Sequence, residues 1–144
     1  MDELPHWEEG TPAIVCVAGP HAIPVSTAMR ASGSAARFAL GGGRETLRRL
    51  REDPQMALCL LGAGMAFTAY GRATVLREGL ECAPDVVAVE LQVERVQDHL
   101  ADGRTELVDG ARWRWVDPAM AESEPKIRAE LLSLPTSDGI DLPP

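Results

Sequence analysis

The sequence predicts a mainly β domain of α+β character: an antiparallel barrel of six to seven strands, with one short helix inserted among them and a second helix near the C-terminus. Three observations carry this. Apolar runs rich in β-branched residues recur at strand length between residues 11 and 97, separated by Gly- and Pro-containing turns. One helical pattern interrupts them, whereas a doubly wound sheet would alternate helix and strand throughout. The 144 residues, 45% of them hydrophobic, suffice for one core.

Taken in order, residues 11–18 (TPAIVCVA) form a compact apolar first strand closed by Gly19-Pro20. Residues 21–29 (HAIPVSTAM) read as a second strand, with Pro24 placing it at an edge or bulge where a ladder donor is dispensable. Residues 30–35 are expected to turn, and residues 36–40 to form the third strand. A helix over residues 44–53 follows, with Leu47 and Leu50 as one narrow apolar stripe, Glu45 in its first turn and Pro54 as its stop. The fourth strand spans 56–61 and a long fifth spans 65–76, where Gly71 marks a bulge or bend. Residues 86–97 alternate, with Val89, Leu91 and Val93 on one face and Glu90, Gln92 and Glu94 on the other. Residues 111–116 (ARWRWV) read as a short amphipathic strand broken by Asp117-Pro118. A helix over 123–134 takes Ser123 as N-cap, Pro125 in its first turn and Ile127, Leu131 and Leu134 as its apolar line. Residues 1–134 are thus one domain, and 135–144, with three prolines, a flexible tail.

Composition narrows the function. A net charge of −8 argues against nucleic-acid binding, which needs a basic footprint. Of fourteen Lys and Arg residues Lys126 is the one lysine, so lysine chemistry is nearly excluded and bidentate arginine contacts are favoured. Cys16, Cys59 and Cys82 show no C-x-x-C spacing, and the first two lie in apolar runs, which fits a reduced, cytoplasmic setting. No signal peptide is visible at the start. The uncharged run 54–71 contains Gln55, Gly62, Gly64 and Thr68 and reads as a buried hairpin rather than a membrane span. His6, His21 and His99 are too dispersed to propose a metal site. Ser32-Gly33-Ser34 lacks the nucleophile elbow of a serine hydrolase. Trp113 and Trp115 with Arg112 and Arg114 suit either the stacking of a base or, more plainly, a packed strand at a subunit contact.

The chemistry-bearing stretch is 38–54 (FALGGGRETLRRLREDP). Glycines at 41–43 permit a sharp turn and leave the first N–H groups of the helix accessible. With Arg44, Thr46 and the positive end of the helix dipole they form a candidate anion cradle. It is neither a P-loop, for want of the lysine, nor a dinucleotide fingerprint, because Thr46 occupies the third glycine's place.

Four features in order, a strand ending Phe38-Ala39-Leu40-Gly41, the string G-x-R-x-x-x-x-x-L-x-x-D-P over 42–54, an apolar strand, and Tyr70-Gly71-Arg72-Ala73 in a long strand, resemble the pyridoxamine 5′-phosphate oxidase-like flavin-binding split barrels. The resemblance covers residues 11–98. It implies a split β-barrel, a homodimer with the cofactor site at its interface, and FMN or the deazaflavin coenzyme F-420 as cofactor. It places the cofactor phosphate at the inserted helix, on Gly43, Arg44, Thr46 and Arg48. Arg44, Glu45 and Thr46 stand where the family has Ser, Arg and Lys, so arginine must supply the charge. The segment 25–29 matches the one lining the flavin ring, which gives Ser26, Thr27 and Arg30 as ring-side residues. Ala66 stands where the true oxidases commonly carry a flavin-contacting Gln, and their substrate-holding residues have no counterpart near the C-terminus, so pyridoxamine phosphate oxidase activity itself is not expected. The implied function is a flavin-dependent oxidoreductase moving hydride or electrons between the cofactor and a small organic substrate, with no acid, base or nucleophile set because the cofactor carries the chemistry. The alternatives are a non-catalytic flavin- or haem-binding dimer and a cofactor-free binding protein.

Overall fold

A computed structural model describes residues 3–135. Seven strands form one antiparallel sheet: β1 (Ala13–Val17), β2 (His21–Val25), β3 (Met29–Ser32), β4 (Ala35–Gly41), β5 (Gln55–Gly62), β6 (Met65–Arg77) and β7 (Val86–Asp98). Helix α1 (Glu45–Glu52) lies between β4 and β5, and α2 (Pro118–Ser133) follows β7. The strand order is β2-β1-β5-β6-β7-β4-β3, so β2 and β3, adjacent in the chain, occupy opposite edges.

That order dictates the shape. A flat sheet of seven strands is about 29 Å wide from first to last strand at the usual spacing. Residues 26–28 join its two edges, and the four steps from Val25 to Met29 reach about 14 Å at most. The sheet must therefore curl until its edges nearly meet, as in a split barrel. At this seam the Ala39 N–H, beyond the last β3 partner on β4, donates to the Thr27 hydroxyl at 2.9 Å. The N-terminal segment closes the seam further: the Trp7 indole N–H donates to the Ala28 carbonyl at 3.0 Å, and its ring lies 5.7 Å from that of Phe67.

Period-2 alternation sends Val15, Phe38, Leu58, Val89 and Leu91 inward, all buried. Gly71 does sit at a register shift between β6 and β7, where a side chain would strike the Gln92 carbonyl. Pro24 does lie on an edge strand.

Four local expectations need correction. The second strand, expected over 21–29, ends at Val25 because the next three residues cross between edges. The turn expected at 30–35 is largely strand β3, with the reversal at Gly33-Ser34. Residues 111–116 form no strand, since all seven strands pair without them. Helix α2 starts five residues earlier than expected. Asp117 is its N-cap, accepting from the Ala119 N–H at 2.9 Å, and Pro118 occupies the first turn, where a missing N–H is harmless. Pro125 consequently falls inside the helix, on its exposed side. The expected apolar line holds: Leu131 is fully buried, and Ile127 and Leu134 pack beside it against Ala39, Ala88 and Leu80.

Helix α2 is fastened to the outer face of the sheet by polar contacts. Arg37 on β4 and Glu90 on β7 are register partners, both buried, with the Arg37 Nε–H donating to Glu90 at 2.9 Å. The same guanidinium donates to the Leu131 and Leu134 carbonyls, each at 2.6 Å. Glu90, expected on a polar outer face, is therefore on that face but covered. Most of the tail expected at 135–144 lies outside the described residues.

Candidate functional site

A cavity of 520 Å³ opens along the seam, between β2, the crossing residues, the end of β4 and the segment leading into α2. Its volume is in the usual range for small-molecule sites. Ile23, Val25, Leu40 and Val86 form the sheet-side wall. Residues 99–117 have no regular structure. They pass the β5–β6 turn, where the Gly64 N–H donates to the Leu107 carbonyl at 2.8 Å, and then bring Trp113, Arg114 and Trp115 over the cavity. Helix α2 adds Met120, Ser123, Glu124 and Ile127, spaced i, i+3, i+4 and i+7 and hence on one face.

The polar lining comes from several elements: Ser26 and Thr27 at the crossing, Arg44 at α1, Arg114 in the loop, and Ser123 and Glu124 on α2. β2 starts at His21, whose Nε2 lies 2.9 Å from the Thr46 hydroxyl on α1, and runs away from α1 toward Ser26. Five residue steps separate His21 from Ser26, about 17 Å at strand rise. Arg44, the N-cap of α1, lines the cavity at the α1 end. Near the crossing the Ser26 hydroxyl donates to Glu124, which also forms an ion pair with Arg128 at 3.0 Å, and Arg128 in turn faces Glu9 at 3.3 Å. Thr27 is buried, with its oxygen turned to the Ala39 N–H.

The structure brings together three of the seven residues expected at the site: Ser26, Thr27 and Arg44. Arg30 lies on edge strand β3 and donates through Nε to the Leu4 carbonyl at 3.0 Å, tying down the N-terminal segment. Gly43 is exposed in the turn before α1, with open space where a side chain would project. Arg48 is exposed and faces Glu52 one turn on at 3.4 Å. Thr46, expected to present its hydroxyl to the phosphate, is instead only 1% exposed. It stands four residues before Leu50 and so shares the buried stripe of the helix, where its hydroxyl meets His21. No side chain caps the N-terminus of α1, so its first N–H groups and Arg44 remain as the anion-attracting features. Glu45 at the first turn engages Arg49 at 2.7 Å and lies 3.6 Å from His21, and the Arg49 hydrogen bond and charge hold its carboxyl below the ordinary range.

Sequence reasoning did not place Trp113, Trp115, Met120 or Glu124 at the site. The two tryptophans were visible as stacking candidates; their position over residues 23–27 depends on the path of the preceding loop and could not be read from spacing.

The cysteines are free, and burial pushes the Cys16 thiol up, with nearby Cys59 adding to the effect. Such a thiol is a poor nucleophile at neutral pH. Among the described residues no cluster of three His, Cys, Asp or Glu side chains is placed to hold a metal ion, and no helix is long and apolar enough to cross a membrane.

No protein-family model and no curated protein matches the sequence. Solved structures do match in fold. A putative pyridoxamine 5′-phosphate oxidase from Lactobacillus delbrueckii is similar at TM-score 0.54 and 16% identity, over 67% of this chain and 95% of that one. HupZ of Group A Streptococcus is similar at 0.53 and 13%, over 70% and 90%. An F-420 reductase is similar at 0.51 and 13%, over 62% and 91%. The chain thus has the pyridoxamine 5′-phosphate oxidase-like split-barrel fold, as the motif resemblance implies.

Proposed function

We propose that the seam cavity binds a flavin-type cofactor, FMN or the deazaflavin F-420, and that the protein is an oxidoreductase acting on a small organic substrate. The observation that carries this is the convergence on one cavity of Ser26, Thr27 and Arg44, assigned independently of the structure, with apolar walls and two tryptophans suited to a planar ring. Fold neighbours that include a putative pyridoxamine 5′-phosphate oxidase and an F-420 reductase support the same reading.

The residues fit the ring better than the phosphate. Trp113 and Trp115 supply aromatic faces, Ile23, Val25 and Ile127 exclude water, and Ser26 and Glu124 offer polar contacts to a ring edge. The phosphate end has Arg44 and the uncapped helix start, without help from Thr46 or Arg48. When bound, the cofactor would supply the electron or hydride chemistry. This chain's residues orient it, keep one face dry and set its electrostatic surroundings.

We also propose that the protein works as a homodimer. Alternation along β1 and β5 puts Ile14, Cys16, Ala57 and Cys59 on the outer face, all half-buried, with Leu61 45% exposed beside them. Helix α2, which packs on β3 and β4, leaves that face to a partner.

The haem-carrier alternative is less supported: the cavity lining among the described residues offers Met120 as an axial ligand but no histidine or cysteine.

The test is the absorption spectrum of the purified protein, mass spectrometry of any released ligand, and titration with FMN and F-420. Micromolar or tighter binding of either supports the proposal. A colourless protein that binds neither overturns it.

A further inference from the structure

We infer that Glu124 is a specificity-determining residue of the cavity, selecting a ring whose buried edge donates an N–H and rejecting one that lacks this donor. The inference rests on the flavin reading and names which group of this chain reads the ring. Three structural facts carry it.

First, Glu124 lies on the cavity-facing side of α2, one turn after Met120 and one turn before Ile127, and its side chain is 14% exposed. A half-buried carboxylate in a largely apolar cavity is costly to leave without donors. Second, its neighbours leave it acceptor character toward the cavity. The Ser26 hydroxyl, with a single O–H, donates to one carboxylate oxygen, so Ser26 too presents lone pairs to an incoming ligand. Arg128 engages the other oxygen, and its remaining charge is shared with Glu9. Third, the cavity's cations come from other elements: Arg44 from the N-cap of α1, and Arg114 from the loop between the two tryptophans. Ser26 and Glu124 thus offer acceptors to a ligand, while Arg44 and Arg114 attract negative charge.

The complementary ligand has an N–H-bearing ring edge at one end and an anionic tail at the other. A flavin's imide N–H supplies that edge, and a nucleotide-like phosphate supplies that tail. A ligand reversed in the cavity would set its anion against Glu124, so the carboxylate also fixes direction.

The alternative role for Glu124 is purely structural, docking α2 through Ser26 and Arg128. Equilibrium binding separates the two. Wild type, Glu124→Gln and Glu124→Ala are titrated with FMN and with FMN methylated at the imide nitrogen, using quenching of ligand fluorescence, and each variant's thermal midpoint is recorded. The expected result is that wild type prefers FMN over the methylated compound by about tenfold or more, the worth of a hydrogen bond to a charged acceptor, and that Glu124→Ala loses this preference. Wild type and Glu124→Ala sharing the same preference, whatever their thermal midpoints, would overturn the inference while leaving the flavin reading intact. Wild type that binds neither compound overturns the flavin reading and the inference with it.

Discussion

Arg37 and Glu90 face each other across β4 and β7 at 2.9 Å, side chains 3% exposed, beneath the last turn of α2. The guanidinium serves two partners at once: a carboxylate within the sheet, and two carbonyls at the negative end of the helix. A helix whose outer side is solvent-exposed is thereby registered on the sheet, and its cavity-facing residues are held in place.

Breaking this pair is expected to be expensive. Arg37→Ala would leave a buried carboxylate without its cation and should cost about 3–5 kcal/mol. Chemical denaturation would show it, and limited proteolysis within residues 118–133 should accelerate as α2 is released. Unchanged proteolysis would mean that the apolar contacts of Leu131 suffice to hold the helix.

Arg44→Ala should weaken binding of FMN about tenfold with little change in thermal midpoint, because Arg44 is exposed at the cavity mouth. Thr46→Ala should do the opposite. It removes a hydroxyl paired with His21 in a buried position, costing about 1 kcal/mol of stability while leaving the ligand's affinity unchanged. A double comparison by calorimetry and titration distinguishes a cradle residue from a helix-packing one.

Trp113→Ala and Trp115→Ala are expected to weaken ring binding by roughly fivefold each, in line with stacking energies near 1 kcal/mol, without destabilising the fold, since both are nearly half exposed. Tryptophan fluorescence offers the readout: in wild type a bound flavin should quench it strongly, and in the double variant only the Trp7 signal should remain. Unchanged affinity of the double variant for the flavin would place the ligand away from the tryptophans.

Glu130 gives the fold a pH dependence. Burial opposes its ionisation, but N–H donors from Cys82 and Glu81, at 3.0 and 2.7 Å, outweigh this and leave its carboxyl below the ordinary range. A carboxyl lowered in the folded state contributes stability above its unfolded pKa of about 4.3 and loses it as pH falls through the folded value. Wild type and Glu130→Gln should therefore differ in thermal midpoint at neutral pH and converge as the pH falls through the lowered folded value. A constant difference across that range would show that charge is not the cause.

The barrel strands were legible in the sequence because β1, β5, β6 and β7 carry apolar runs or clean alternation, and Gly71 and Pro24 mark their irregularities. Helix α1 was legible from Gly41 to Pro54. The misreadings share a cause: local chemistry that suits two structures. Ser26 and Thr27 are acceptable strand residues, yet they cross between edges, which only the strand order reveals. Asp117-Pro118 reads as a breaker or as an N-cap with its first-turn proline, and the apolar line of α2 is compatible with both. Thr46 looks like a ligand hydroxyl until the helix phase is fixed by Leu50. Glu124 carries no local signal at all, because its meaning comes from Ser26, 98 positions away.

The three-residue crossing at Ser26–Ala28 has a mechanical corollary. It acts as a hoop tie, and two of the residues that line the cavity are also links in the tie. Anything that grips Ser26 or Thr27 pulls on the closure itself, so occupancy of the cavity and tightness of the barrel are one equilibrium read at two places. The Ala39 amide, donating to Thr27 across the seam, is a natural strain gauge: its hydrogen exchange should slow when the cavity that both residues line is filled.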